Sequence, residues 1–227
     1  MSTILEVKNL NITYKNKKKN VYAVKDVSFT INKGDSLGLV GESGSGKSTL
    51  ATALLRLHPK HSTVITGKAN FMGKDLISIS EKELLDLRWN ELAVVFQKSM
   101  NSLSPVHRIG EQIEDIYRVH KPKATKKEIS DRASYLMSLV NLSNRVYNLY
   151  PHELSGGMLQ RVSIAISLLH NPKLLILDEA TTALDVVTQG QILDEILKME
   201  KEMDMTRIMI THDMSVVSSS CNKVAIM

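Results

Sequence analysis

Hydrophobic and polar positions alternate in two stretches near the start of the chain, residues 3–14 and 21–31, and β-branched residues are prominent in both. Period-two patterning predicts strands with one buried face, and the Lys/Asn-rich turn between the stretches predicts an antiparallel pair. Ser36-Leu37-Gly38-Leu39-Val40 is a compact apolar run that predicts a short strand buried on both faces. A glycine-rich loop follows, and then Ser48 to Leu55 reads as a helix that breaks near His58-Pro59. Residues 63–72 predict a strand pair around Gly67. Ser80 with Glu83 three residues on is a capping box opening a helix to Arg88, and Leu92 to Phe96 is another compact strand.

The period changes between Asn101 and Leu149. Ile109, Ile113 and Ile116, then Ile129, Ala133, Leu136, Leu139 and Val140, alternate with charged, Lys-rich turns. This predicts a helical segment inserted between strands of a parallel sheet. Leu159 to His170 predicts a further helix ended by Asn171-Pro172. A strand at Leu174–Leu177, a helix near Thr188–Met203 and strands at Arg207–Ile210 and Val224–Met227 complete the chain. Strands alternating with helices predict an α/β fold with a mainly parallel sheet covered on both faces. An antiparallel β subdomain precedes that sheet and an α-helical subdomain interrupts it. The whole chain, 1–227, then forms one domain, with a core from residues 1–96 and 160–227 and a helical subdomain from 97–159.

Composition narrows the picture without deciding it. A chain of 227 residues suits one large α/β domain. No apolar run approaches the roughly 18–20 residues that span a bilayer, and Met1 to Leu10 lacks a cationic-then-apolar leader pattern. A single cysteine, Cys221, excludes an intramolecular disulfide framework and fits a reducing cytosol. The net charge of +5 raises nucleic acid as a partner, but the densest basic run, Lys15 to Lys19, lies in the expected hairpin turn. Aromatic residues make up only 4% of the chain and do not interleave with basic ones, so no nucleic-acid surface is expected. Modest attraction to an anionic membrane surface is compatible with the charge.

Gly41-Glu42-Ser43-Gly44-Ser45-Gly46-Lys47-Ser48 fits the phosphate-binding pattern G-x-x-x-x-G-K-[ST], with a strand before it and a helix after it. The glycines let backbone N–H groups turn inward around a polyphosphate. Lys47 reaches the β and γ phosphates, Ser48 ligates Mg²⁺, and the helix N-terminus adds partial positive charge. The nucleotide-binding set is therefore Gly41, Ser43, Gly44, Ser45, Gly46, Lys47, Ser48 and Thr49.

Two further motifs sharpen this. Leu174-Leu175-Ile176-Leu177-Asp178-Glu179 puts two acids at the carboxyl end of a buried strand, where α/β folds keep their ligands. Asp178 is expected to hold Mg²⁺ through its water shell, and Glu179 to polarise the water that attacks the γ-phosphate. Leu154-Ser155-Gly156-Gly157-Met158 opens a helix and makes a second anion-receptive N-terminus. One nucleotide needs one such cradle per subunit, so two cradles suggest a dimer with ATP at each interface.

Together these motifs resemble the nucleotide-binding subunit of an ATP-binding-cassette transporter, in that family's order and approximate spacing, over essentially the whole chain. The resemblance implies ATP and Mg²⁺ as ligands and assigns further residues. Gln97, after Val94-Val95-Phe96, matches the glutamine loop that senses Mg²⁺ and the attacking water and couples to the membrane partner. Ala183-Leu184-Asp185 matches the loop crossing the dimer interface, and His212 in Thr211-His212-Asp213 matches the switch histidine at the γ-phosphate. Tyr14 is the expected adenine-stacking aromatic, with Tyr22 as the alternative.

A narrower resemblance is to the oligopeptide, dipeptide and nickel importer branch. It rests on Phe96-Gln97 with Met100 to Pro105, on His152 to Gln160 and on Asp178 to Asp185. That branch implies two permease subunits, a sister ATPase, an extracytoplasmic solute-binding protein and a peripheral location on the cytoplasmic side of the membrane. Lys98-Ser99 stands where an acid and proline are usual, Ala180 where proline is usual, and the branch's C-terminal extension has no counterpart before Met227. Two other readings share the phosphate loop. A non-transport cassette ATPase in DNA repair predicts sustained coiled-coil heptads, which are absent, and one acting on the ribosome predicts two cassettes. A nucleotide kinase leaves the L-S-G-G segment unexplained.

Overall fold

The computed structural model describes residues 2–17, 19–96, 103–181 and 184–227. In chain order the elements are β1 (Thr3–Tyr14), β2 (Val21–Asn32), β3 (Ser36–Val40), α1 (Lys47–Leu54), β4 (Thr63–Phe71), β5 (Lys74–Asp75), α2 (Glu81–Leu87) and β6 (Leu92–Val95). They continue with α3 (Ile109–His120), α4 (Lys126–Leu139), α5 (Gly156–Ser167), β7 (Leu174–Asp178), α6 (Val186–Met203), β8 (Thr206–Ile210), α7 (Met214–Ser220) and β9 (Lys223–Ile226). Two compact units emerge, Met1–Arg88 with Thr206–Met227, and Trp89–Met205.

In the first unit the alternating segments form an antiparallel sheet in the order β2-β1-β4-β5. β1 runs from Thr3 opposite Asn32 to Tyr14 opposite Val21, the predicted antiparallel pairing. Leu5, Val7, Leu10 and Ile12 are buried. The odd-to-even switch between Val7 and Leu10 marks a register shift against both neighbours, at Asn9 with φ 48.

Gly67 faces that irregularity, and here the expected turn is corrected. β4 runs straight through Gly67. Its φ is +99, and a Cβ there would lie 2.4 Å from the Asn9 carbonyl oxygen, so glycine permits close approach of two backbones. The chain reverses instead at Met72-Gly73, both with positive φ, and pairs Phe71 with Lys74.

The same unit holds β3 between two parallel partners, β8 and β9. All five residues of β3 are buried, as expected for a strand covered on both faces. Helix α7 was not evident in Met214-Ser215-Val216-Val217-Ser218-Ser219-Ser220, whose serines and valines are weak helix formers. Asp213 caps it through the Ser215 N–H, and Val217 packs onto Gly38 of β3.

The second unit pairs β6 with β7 in parallel, from Leu92 opposite Leu174 to Val95 opposite Leu177, with α5 packed on β6 and α4 packed against α3, α5 and α6. The helix expected from Leu159 starts earlier, at Gly156, because Ser155 caps it through the Met158 N–H. His170, beyond its end, stacks on Tyr117 and meets His120 edge-on, both at 5.0 Å between ring centroids. Burial pushes its imidazole down to about 4. Among the described residues no helix is long and apolar enough to cross a membrane.

Two outcomes test these contacts. A Cβ at position 38 would lie 2.4 Å from Val217 Cγ1, so Gly38→Ala should destabilise by about 1–3 kcal/mol in urea unfolding. Adding Val217→Ala should recover part of that loss. His170 takes up a proton in the unfolded chain near its ordinary value and in the native fold only near 4. The unfolded state therefore binds more protons in between, and the His170 contribution is complete above about pH 6.5 and drains as pH falls toward 4. His170→Phe, which keeps the stack, should flatten that limb of urea midpoint against pH; an unchanged profile would assign the acid sensitivity elsewhere.

Candidate functional site

Strand β3 delivers the chain into the loop Gly41–Gly46, and α1 starts at Lys47. Gly46 is the N-cap of α1, with φ 103, and offers no side-chain acceptor to the helix. The first turn also carries no acid. Its backbone N–H groups thus form the positive end of a helix without a built-in counter-charge, a ready anion site. A Cβ at Gly46 would fall 2.3 Å from the Ala23 carbonyl oxygen, so only glycine lets the loop sit against β2.

Lys47 is 5% exposed. Its ammonium donates to the carbonyl oxygens of Gly41 (2.9 Å) and Glu42 (2.7 Å) and to Ser45 Oγ (3.3 Å). The cation is thereby folded back into the loop it follows. Ser43, Gly44 and Ser48 are exposed, while Gly41, Ser45 and Thr49 are half-buried. Uncapped amides around a compact ammonium suit a polyphosphate.

Tyr14 ends β1 and is half-buried beside α1. Its hydroxyl lies 3.3 Å from Thr49 Oγ1 and 3.4 Å from His58 Nδ1. Tyr22, the alternative aromatic, is 62% exposed and sits under Lys25. In the sequence His58 stands only at the His58-Pro59 helix break, and no periodicity or motif marks it as a neighbour of Tyr14.

At the end of β8 the Thr211 N–H donates to the Leu39 carbonyl (3.3 Å), which sets the carboxyl ends of β8 and β3 side by side. His212 leaves this edge exposed. Asp213 beside it accepts from the Ser215 hydroxyl and N–H, which hold its carboxyl below the usual range.

In the second unit Asp178 is the buried last residue of β7 and Glu179 follows it half-buried. Glu179 has φ 49, a left-handed conformation that costs a non-glycine residue of order 1–3 kcal/mol and recurs at functional positions. The Asp178 carboxylate in this unit and the Ser48 hydroxyl in the first are each hard oxygen donors of the kind Mg²⁺ takes. Ser155 and Gly156 are exposed at the start of α5. Gly157 faces Thr188 of α6, where a Cβ would lie 2.9 Å from Thr188 Cγ2. Asp185 caps α6 by accepting from the Thr188 N–H (3.0 Å) and hydroxyl (2.6 Å), bonds that hold its carboxyl low. The starts of α5 and α6, and so Ser155 to Gly157 and Asp185, therefore share one neighbourhood.

Arg161 and Glu195 join these two helices. Arg161 Nε donates to both Glu195 oxygens (3.2 and 3.0 Å), and Asn141 donates a third bond to Glu195 (2.9 Å). Glu195 went unnoticed in the sequence, although an acid beside Ile192, Ile196 and Met199 on a buried helical face was a signal. Gln97, Lys98, Ser99 and Ala183 lie outside the described residues.

Comparison with known proteins gives a consistent set. The family model for ABC transporters matches residues 24–182. The oligopeptide transport ATP-binding protein OppD of Bacillus subtilis is 43% identical over 230 residues, covering 100% of this chain and 64% of that protein. OppD of Salmonella typhimurium is 42% identical, covering 100% and 68%. The dipeptide transport ATP-binding protein DppD of Lactococcus lactis is 40% identical, covering 99% and 65%. The chain thus spans about two thirds of the length of these relatives. Among solved structures, the dimeric post-hydrolysis state of the ATP-binding cassette MJ0796 bound to ADP and Pi superposes with a TM-score of 0.86 at 29% identity, covering 99% of this chain and 94% of that one. The cbiO1 protein of Clostridium perfringens, part of the ABC transporter complex cbiONQ, gives 0.82 at 29% identity, covering 100% and 85%.

The loop geometry yields a direct test. Gly46→Ala would push a methyl into the Ala23 carbonyl and force a strained φ. Affinity for ATP in calorimetric titration should fall by at least about tenfold, roughly 1.4 kcal/mol. Unaltered affinity would mean that the loop binds its ligand in a different backbone conformation.

Proposed function

This chain belongs to the ABC transporter family and has the fold of its ATP-binding cassettes, and from that footing we propose that it is the ATP-hydrolysing subunit of an oligopeptide or dipeptide importer. The observation that carries the reading is the phosphate loop, with α1 uncapped and the Lys47 ammonium held among loop oxygens. The names of the relatives support the cargo class.

Gly41, Ser43, Gly44, Ser45, Gly46 and Thr49 wrap the phosphates with backbone and hydroxyl donors, and Lys47 exchanges its loop carbonyls for the β and γ phosphate oxygens. Tyr14 carries the adenine. Ser48, Asp178 and Gln97 would hold Mg²⁺, which would supply neutralisation of the phosphate charge. Glu179 orients and polarises the attacking water, His212 contacts the γ-phosphate, and Lys47 stabilises charge moving off it during in-line attack.

Each ATP is completed by Ser155, Gly156 and Gly157 of a second cassette, with Asp185 at the same seam. Val186 and Val187, 83% and 70% exposed beside Asp185, support a covered surface there. The second cassette is a sister ATPase or a second copy. Closure around ATP and reopening after hydrolysis drive two permease subunits from the cytoplasmic side of the membrane, with the helical segment 97–159 and Gln97 as the coupling part. A solute-binding protein outside the membrane supplies the peptide.

Glu179→Gln should bind ATP with nearly native affinity and lose turnover by roughly 10²–10⁴-fold. Normal turnover in that variant would remove Glu179 from the role of base. Light scattering of the same variant should give a dimer mass with Mg-ATP and a monomer mass without it. A monomer that still binds ATP would point to a different sister subunit as its partner.

A further inference from the structure

His58 makes a set of contacts that the nucleotide chemistry above does not use. Its Nε2 lies 3.0 Å from the Thr49 carbonyl oxygen and 2.9 Å from Thr52 Oγ1. The Thr49 carbonyl only accepts, so Nε2 carries a proton. The Thr52 hydroxyl points its own proton at the Ser48 carbonyl (2.7 Å), which leaves its oxygen to accept from Nε2 as well. In the neutral ring Nδ1 is then an acceptor, and it faces the Tyr14 hydroxyl at 3.4 Å. The two rings meet at 82° with centroids 5.5 Å apart, a T-shaped pair of the kind that adds orientation to contact. The Tyr14 hydroxyl has a second neighbour on α1, Thr49 Oγ1 at 3.3 Å. Tyr14, His58 and the first two turns of α1 are thus one bonded cluster, all within the first unit.

We propose that His58 is a positioning residue for nucleobase recognition: it bridges the Tyr14 ring to the phosphate-binding helix and holds the ring in the pose that stacks on adenine. This rests on Tyr14 being the adenine platform. The physical argument is preorganisation. Tyr14 ends a strand ahead of the hairpin turn and is only half-buried. A ring free to turn would lose rotamer freedom whenever a base bound, at a cost in affinity. The T-shaped contact and the single hydroxyl proton, shared between Thr49 Oγ1 and His58 Nδ1, remove that freedom beforehand and tie the ring to the helix that holds the phosphates. The cluster meets the phosphate-binding set only at Thr49, through its hydroxyl and carbonyl, so its main effect falls on the base.

The test separates base from phosphate by calorimetric titration of the whole chain with Mg-ATP and with Mg-tripolyphosphate. Tyr14→Ala should weaken ATP and leave tripolyphosphate unchanged. His58→Ala should weaken ATP by about five- to tenfold, the size expected for a lost hydrogen bond and ring contact, again with tripolyphosphate unchanged. The double variant should be no weaker than Tyr14→Ala alone. His58→Gln keeps an amide donor for the Thr49 carbonyl but presents nothing to Tyr14, so it should behave as His58→Ala. Native tripolyphosphate affinity in each variant shows that loop and helix remain folded. If His58→Ala weakens both ligands equally, or His58→Gln restores ATP affinity, the residue serves α1 alone and the proposal fails. If Tyr14→Ala loses ATP affinity while His58→Ala does not, the platform stands and the positioning role falls. If Tyr14→Ala binds ATP normally, the platform assignment itself is wrong.

Discussion

The first turn of α1 has backbone N–H groups that its cap residue does not satisfy, and much of the first unit is arranged around that deficit. Gly46 takes the cap position because its neighbour is the Ala23 carbonyl at a distance no side chain tolerates. A glycine cap brings no side-chain oxygen to the helix end. Lys47 brings a positive charge to the same place. Burying that charge is acceptable only because three oxygens of the loop receive it. A polyphosphate can replace those oxygens with stronger, charge-assisted partners. β3 supplies the rigidity, since it is buried throughout and held by a parallel partner on each side.

The helices of the second unit solve the same end problem in the opposite way. Ser155 and Asp185 satisfy N–H groups of α5 and α6 with their own side chains. These helix starts are consequently satisfied without a ligand and still leave polar groups exposed. The Arg161–Glu195 pair, with side chains 14% and 6% exposed, locks α5 to α6 behind them. Removing one member of such a pair leaves a buried charge, a change that costs about 3–5 kcal/mol in comparable cases. The Ser155–Gly157 helix start is thus backed by an ionic clamp that begins about one turn further along α5.

The sheet patterns and the chemical motifs were legible because each depends on local spacing. Alternation predicted the β1–β2 hairpin, a solid apolar run predicted β3 and β7, and Ser80 with Glu83 formed the capping box observed. Gly67 was misread because a glycine that permits a turn and a glycine that permits close backbone approach look alike in one dimension. Helix α7 was invisible because its serines and valines do not favour a helix; the Asp213 cap and the packing of Val217 on Gly38 override that preference.

The motifs confined to one short window, Gly41 to Ser48 and Leu174 to Glu179, are legible in the sequence itself, since neighbouring positions in the chain stay neighbours in the fold. The left-handed backbone of Glu179, the seat of His58 beneath Tyr14 and the grip of Arg161 on Glu195 were decided only by tertiary structure. His58 and Tyr14 are 44 positions apart, and Arg161 and Glu195 are 34. No local periodicity encodes such a meeting. It follows from the register of whole elements, which is fixed when their apolar faces are buried together.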